Sequence, residues 1–188
     1  WETEEVETLV RTAINCLSDL GAQLIPVELP KNSQGWDVHF KITLPELACY
    51  YQEHFSENEL KDWPEISGRI TAGKTLPFSD YYHAQQIADA IRQEIELVFQ
   101  SVDLIAMPTG ASVGVPGDAE TVTVRGKELS TKSKAVHINN IAAMTGCPSI
   151  SVPCGFTGEN KLPVGLQLIG RRFTESTVLQ AAFAYEQA

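Results

Sequence analysis

Asn139 to Ala188 reads N-N-I-A-A-M-T-G-C-P-S-I-S-V-P-C-G-F-T-G-E-N-K-L-P-V-G-L-Q-L-I-G-R-R-F-T-E-S-T-V-L-Q-A-A-F-A-Y-E-Q-A. Its pattern is one supersecondary unit: a small-residue helix ending at Gly146, two short apolar runs, and an amphipathic helix that closes the chain. The run Ser149 to Val152 should stop at Pro153, which has no N–H to give a ladder, and the run Val164 to Ile169 should stop at Gly170. In the last helix Val178, Leu179, Ala182 and Tyr185 recur at helical spacing, behind Thr174 as expected N-cap and Glu175 in the first turn. Helix, strand, strand, helix predicts an α/β fold whose strands are buried on at least one face.

Working upstream, Asp103 to Met107 reads as a strand that delivers Pro108-Thr109-Gly110-Ala111 to a loop at its carboxyl end, where ligands gather in open α/β sheets. Thr109 and Gly110 are therefore the leading pocket residues, with simple turn chemistry as the other reading. A long helix is predicted from about Asp80 to Gln100, capped by Ser79 or Asp80, with Ile87, Ile91, Ile95 and Val98 inward. Ser112 to Lys134 reads as a long insertion with a hairpin, Thr121 to Val124 turning through Arg125-Gly126-Lys127, of the kind that serves as lid or pocket wall. Within it Ser130-Thr131-Lys132-Ser133-Lys134 does not fit Ser-x-x-Lys and reads as a polar loop.

The chain opens with a predicted helix from about Glu4 to Leu20, capped by Thr3, with Val6, Leu9, Val10, Ala13, Ile14 and Leu17 on its apolar face and Gly21 at its end. A strand is expected near Gln23 to Leu29; because it contains Pro26 it should lie at a sheet edge or carry a bulge, and such an edge could pair with another chain. Between Pro30 and Ser79, Lys31 to Trp36 is turn-like, Ile42 to Phe55 looks helical, and Glu57 to Lys74 mixes charge with Pro and Gly. Trp36, Phe40, Tyr50, Tyr51, Phe55 and Trp63 cluster here, either lining a substrate entrance or packing a helix face against the sheet.

Composition adds limits. The 188 residues, 43% hydrophobic, are enough for one domain with a sizeable core. Fourteen basic against 24 acidic residues leave a formal charge of -10, which argues against nucleic acid and anionic membrane as partners. Neither a membrane-length apolar run nor a signal-type N-terminus is visible, so a soluble, cytoplasmic protein is expected. Cys16, Cys49, Cys147 and Cys154 lack metal-site spacing and read as reduced, mostly buried thiols; a Cys nucleophile paired with His137 is the alternative. His39, His54, His83 and His137 show no ligand spacing either, and no metal or cofactor is expected.

Specific motifs then point to a family. P-S-I-S-V-P-C-G-F at Pro148 to Phe156, L-P-V-G-L-Q-L-I-G-R at Leu162 to Arg171 and A-Y-E at Ala184 to Glu186 together resemble the closing segment of the amidase signature family. Val102 to Thr109 is similar to that family's strand entering a Pro-Thr loop. Tyr81-Tyr82-x-Ala84 with Arg92 resembles its long helix, and Leu20-Gly21-Ala22 followed by Val27-Glu28-Leu29-Pro30 its helix, L-G-A, strand, L-P unit. The resemblance implies a mixed β-sheet covered by helices, and amide hydrolysis by a Ser-Ser-Lys triad. In that triad a neutral lysine deprotonates a bridging serine, which takes the proton of the nucleophile, while a Gly-rich backbone supplies the oxyanion donors.

The Gly- and Ser-rich block that carries those serines does not occur between Trp1 and Ala188, and in the family's order the first helix here would follow it. Residues 1–188 are thus expected to be the C-terminal portion of a single amidase signature domain, a fragment inactive alone, whose partners are a small-molecule amide substrate and the rest of its own chain. A homodimer remains open. The resemblance implies Thr109, Gly110, His137 and Asn140 as substrate-lining residues. Ala143-Met144-Thr145-Gly146 departs from the family's Asn-x-Thr-Gly or Asn-x-Ala-Gly, and Val136-His137 stand where the A subunits of glutamine-dependent tRNA amidotransferases tend to carry an aspartate. That favours a simple amidase or urea-derivative hydrolase over a tRNA amidotransferase; a noncatalytic amidase-like scaffold is the third reading.

Overall fold

The run Pro163–Gly170 becomes the middle strand of a sheet because both its faces are apolar and both its edges find partners. In the computed structural model, which describes residues 3–29, 34–131, 140–158 and 161–188, this strand, β5, lies between β1 (Leu104–Pro108) and β4 (Ser149–Phe156). Both pairings are antiparallel, with Leu168 opposite Ala106 on one side and Ile150 on the other. A separate hairpin joins β2 (Thr121–Val124) to β3 (Lys127–Ser130). Its two turn residues, Arg125 and Gly126, have φ of 50° and 73°, the left-handed pair that matches strand twist in a two-residue loop.

Alternation along β5 sends successive side chains to opposite faces of the sheet. Val164, Leu166 and Leu168 meet Val6, Val10 and Ala13 of α1 (Glu4–Asp19) and Ala182 of α7 (Glu175–Glu186). Ile169 and Ile105 instead meet Ile95 and Phe99, at the end of α5 (Phe78–Val98), and Ile141 and Ala142 of α6 (Asn140–Thr145). The expected α/β arrangement, helices laid on both faces of a sheet, is therefore what the chain adopts; the strand pairings among the described residues are all antiparallel.

The chain divides into two compact units. Residues 1–29 and 94–188 hold the sheet just described, and residues 30–93 form the other. Among the described residues the second unit is helical: α2 (Gly35–His54), α3 (Glu57–Lys61), α4 (Pro64–Thr75) and the greater part of α5. Ser56 and Glu59 cap α3 reciprocally, and Pro64 sits at the start of α4, where a missing N–H costs nothing. α2 and α4 touch at Gly73, where an added Cβ would lie 2.2 Å from the Leu44 carbonyl oxygen.

Several expectations need correction. The aromatic residues of this unit pack on one another, Tyr51 stacked on Phe55 at 5.0 Å and Phe55 edge-on to Trp63 at 5.8 Å. β4 does not stop at Pro153: it is an edge strand, where a residue without N–H is tolerated, and a bulge between Pro153 and Gly155 carries it on to Phe156. α5 starts at Phe78 rather than Asp80, with the Pro77 carbonyl taking its first bonds, so Ser79 and Asp80 lie inside the first turn. Thr174 precedes α7 as expected, but its hydroxyl donates to the Arg171 carbonyl instead of accepting from the helix. Leu179 is 58% exposed, while Val178 and Ala182 are buried. Finally, Gln23 to Leu29 forms no strand, since a strand exists only as one side of a ladder and no described residue pairs with it.

Candidate substrate cavity

Thr109 follows β1 directly, and its N–H donates to the Gly165 carbonyl at 2.9 Å, extending the ladder by one residue. On β4, Ser151 alternates with Ile150 and Val152, which face α1 and α7, so its hydroxyl points to the other side of the sheet. Because Gly165 has no side chain, these two outer residues meet over the middle strand: Thr109 Oγ1 and Ser151 Oγ lie 2.6 Å apart. A Cβ at position 165 would come within 2.5 Å of one hydroxyl and 2.6 Å of the other.

Above this pair opens a cavity of about 360 Å³, with Thr109, Gly110, Ser112, Ser151, Pro153 and Gly165 in its wall. Val6 of α1 completes it, and the Thr3 N–H donates to the Ala111 carbonyl at 2.9 Å, so the first turn of α1 sits at the cavity's edge. That helix terminus carries Glu4, Glu5 and Glu7, which favour the positive end of the helix dipole. Glu5 accepts from the Gly158 N–H at 2.6 Å, and Glu7 pairs with Arg11 at 2.8 Å and with Arg125 of the β2–β3 turn.

Of the four residues expected to line substrate, Thr109 and Gly110 lie in this cavity. Asn140 begins α6, buried beside the Ile141–Ile169 cluster and outside the cavity wall, with its Nδ2 unpaired among the described residues. His137, and with it most of Ser130 to Lys134, falls outside the described residues. Ser151 and Gly165 escaped the sequence reading, whose only hint was the Ser-x-Ser alternation at 149 and 151. Nearby on β5, Gln167 is buried with its Oε1 unpartnered among the described residues; its Nε2 reaches Ser149 Oγ only at 3.5 Å.

Among the described residues the arrangement offers hydrogen-bonding hydroxyls and backbone but not an activated nucleophile. A serine becomes nucleophilic when a base stands within hydrogen-bond reach, and the partner of Ser151 is a second hydroxyl. Burial pushes the Cys154 thiol up, away from the reactive thiolate, and its slot on β4 is packed against the α1–α7 core. Among the described residues no group of three or more His, Cys, Asp or Glu side chains could hold a metal, and no helix is long and apolar enough to cross a membrane.

Comparison with known proteins assigns the frame. The family model for amidases matches residues 2–179. The A subunit of a glutamyl-tRNA(Gln) amidotransferase from Moorella thermoacetica is 32% identical over 98% of this chain and 41% of its own length. An amidase from Pseudomonas putida is 29% identical over 98% of this chain and 39% of its own length. Among solved structures, an amidase superposes with a TM-score of 0.83 at 22% identity, covering 99% of this chain and 42% of that one. The chain thus spans about two fifths of the length of the relatives it matches, and it belongs to the amidase signature family, as a C-terminal portion of that fold.

Proposed function

We propose that this chain supplies one wall of the active site of an amidase that hydrolyses a small carboxamide to acid and ammonia or amine without a cofactor. In this reading the Ser-Ser-Lys triad lies on residues preceding Trp1 in the same domain, and the Thr109–Ser151 pair, with Gly110 and Gly165, borders the bound amide. The observation that carries it is the position of the cavity: it opens at the first turn of α1, tied there by Thr3 to Ala111, so a preceding segment would emerge beside the two hydroxyls. Hydroxyl and backbone groups suit a neutral carboxamide, which offers one carbonyl acceptor and N–H donors.

With no base beside Ser151 among the described residues, the 188 residues alone are expected to hydrolyse nothing. The test is ammonia release from a panel of small amides, by the 188-residue chain and by the product of the complete coding sequence. Turnover only by the longer product supports the proposal; turnover by the 188 residues refutes it. A second reading, the amidase component of a tRNA-dependent amidotransferase, draws on the 32% identity to the Moorella thermoacetica protein. It predicts co-purification with tRNA and a further protein component.

A further inference from the structure

Two residues beyond Gly165 on β5, and so on the same face of the sheet, stands Gln167, a polar side chain that the Thr109–Ser151 pair leaves unexplained. The ladder sets it directly opposite Ser151 on β4 and directly opposite Met107 on β1. It is 6% exposed, its Nε2 faces Ser149 Oγ at 3.5 Å, and its Oε1 has no hydrogen-bond partner among the described residues. A buried acceptor without a donor is rare and costly.

Its neighbours narrow the donor to one. A side chain in a ladder reaches those directly opposite and those on the diagonals. On β1 and just past it these belong to Ile105, Met107 and Thr109, and on β4 to Ser149, Ser151 and Pro153. Of these only the three hydroxyls carry a donor. Ser149 lies on the Nε2 side, where its oxygen accepts, and Thr109 is engaged with Ser151. Ser151 is left, and in such directly opposed pairs the Cβ atoms are about 4.5–5.5 Å apart, well within a glutamine's reach. The last torsion of that side chain has a broad profile, so turning Oε1 onto the Ser151 hydroxyl costs little.

We propose that Gln167 is a positioning residue, which gives the Thr109–Ser151 pair a single direction and thereby makes the cavity select amides that carry an N–H. The 2.6 Å contact allows either hydroxyl to donate. With Gln167 Oε1 taking the Ser151 proton, Ser151 must accept from Thr109, and both protons are engaged within the protein. What the cavity then meets at the pair is lone pairs alone. Lone pairs hold the nitrogen half of a primary or secondary carboxamide and offer nothing to an N,N-dialkylamide of the same acid. Without Gln167 the pair keeps a free proton and can donate to a carbonyl as readily as it accepts from an N–H. The inference rests on the reading that this cavity borders a bound amide, and it names the half of the amide that the pair holds.

The experiment uses the product of the complete coding sequence and has two arms. In the first, urea unfolding of Gln167→Met, Ser151→Ala and the double variant gives the coupling between the two side chains without reference to catalysis. Gln167→Met keeps the length of the side chain and removes its acceptor. Each single substitution removes the same bond, so a coupling of at least about threefold in the unfolding equilibrium constant is expected; additive effects would overturn the proposal. In the second arm, kcat/KM is compared for a primary amide and the N,N-dimethylamide of the same acid. A hydrogen bond is worth up to about tenfold, so Gln167→Met should shrink the preference for the primary amide by about that factor, whereas a structural loss would lower both values alike. Thr109→Val should shrink it equally, and Gln167→Met should add nothing in that background. An unchanged preference in Gln167→Met overturns the proposal. Turnover of neither amide refutes the proposed function instead, and the first arm then decides whether Gln167 holds the Ser151 proton.

Discussion

Two glycines of α4 should respond to the same substitution with opposite signs. Replacing a helical glycine by alanine gains about 1 kcal/mol of propensity when nothing obstructs the new methyl. At Gly68 nothing lies within 4 Å of the added Cβ, so Gly68→Ala should stabilise by about 1 kcal/mol. At Gly73 the added Cβ would lie 2.2 Å from the Leu44 oxygen, 2.6 Å from its carbonyl carbon and 2.9 Å from the Ala48 Cβ. Those are backbone atoms and a β-carbon of α2, none of which can rotate aside, so the two helices must separate. Overpacking costs typically about 1–3 kcal/mol, and contact with backbone belongs at the upper end; less the propensity gain, Gly73→Ala should lose about 2 kcal/mol. With a urea slope of about 2 kcal/mol per molar, the midpoint followed by far-ultraviolet circular dichroism should fall by about 1 M for Gly73→Ala and rise by about 0.5 M for Gly68→Ala. A Gly73→Ala midpoint at or above that of the parent would refute the close approach of α2 and α4.

Three further predictions concern the site and its surroundings. Gly165→Ala should drive the Thr109 and Ser151 hydroxyls apart and lower stability, and Ser151→Ala in the same chain should recover at least about 1 kcal/mol of the loss in urea titrations; strict additivity would mean the pair does not meet there. Iodoacetamide at neutral pH should alkylate exposed Cys49 well before Cys154, whose thiol burial holds protonated; equal rates would contradict the packing of β4. Burial lowers the pKa of His39 from 6.5, so the unfolded chain takes up the proton first on acidification. The stability His39 contributes is therefore present above about pH 6.5 and lost as the pH falls through its lower folded-state value, and His39→Gln should flatten that part of the stability profile.

Legibility of the sequence tracked how local each signal is. α1 and β5 were readable because periodicity and a single cap or glycine define them, and Thr109 because Pro-Thr-Gly after an apolar run marks the carboxyl end of a strand. Ser151 was not readable: nothing in I-S-V-P tells that the residue lies across Gly165 from one 42 positions away. Pro153 misled for the same reason, since a proline ends a central strand but not an edge strand, and edge position depends on the order β1-β5-β4. At Gln23 to Leu29 the propensity pointed to a strand that does not form among the described residues, because pairing is a property of two segments and they provide one.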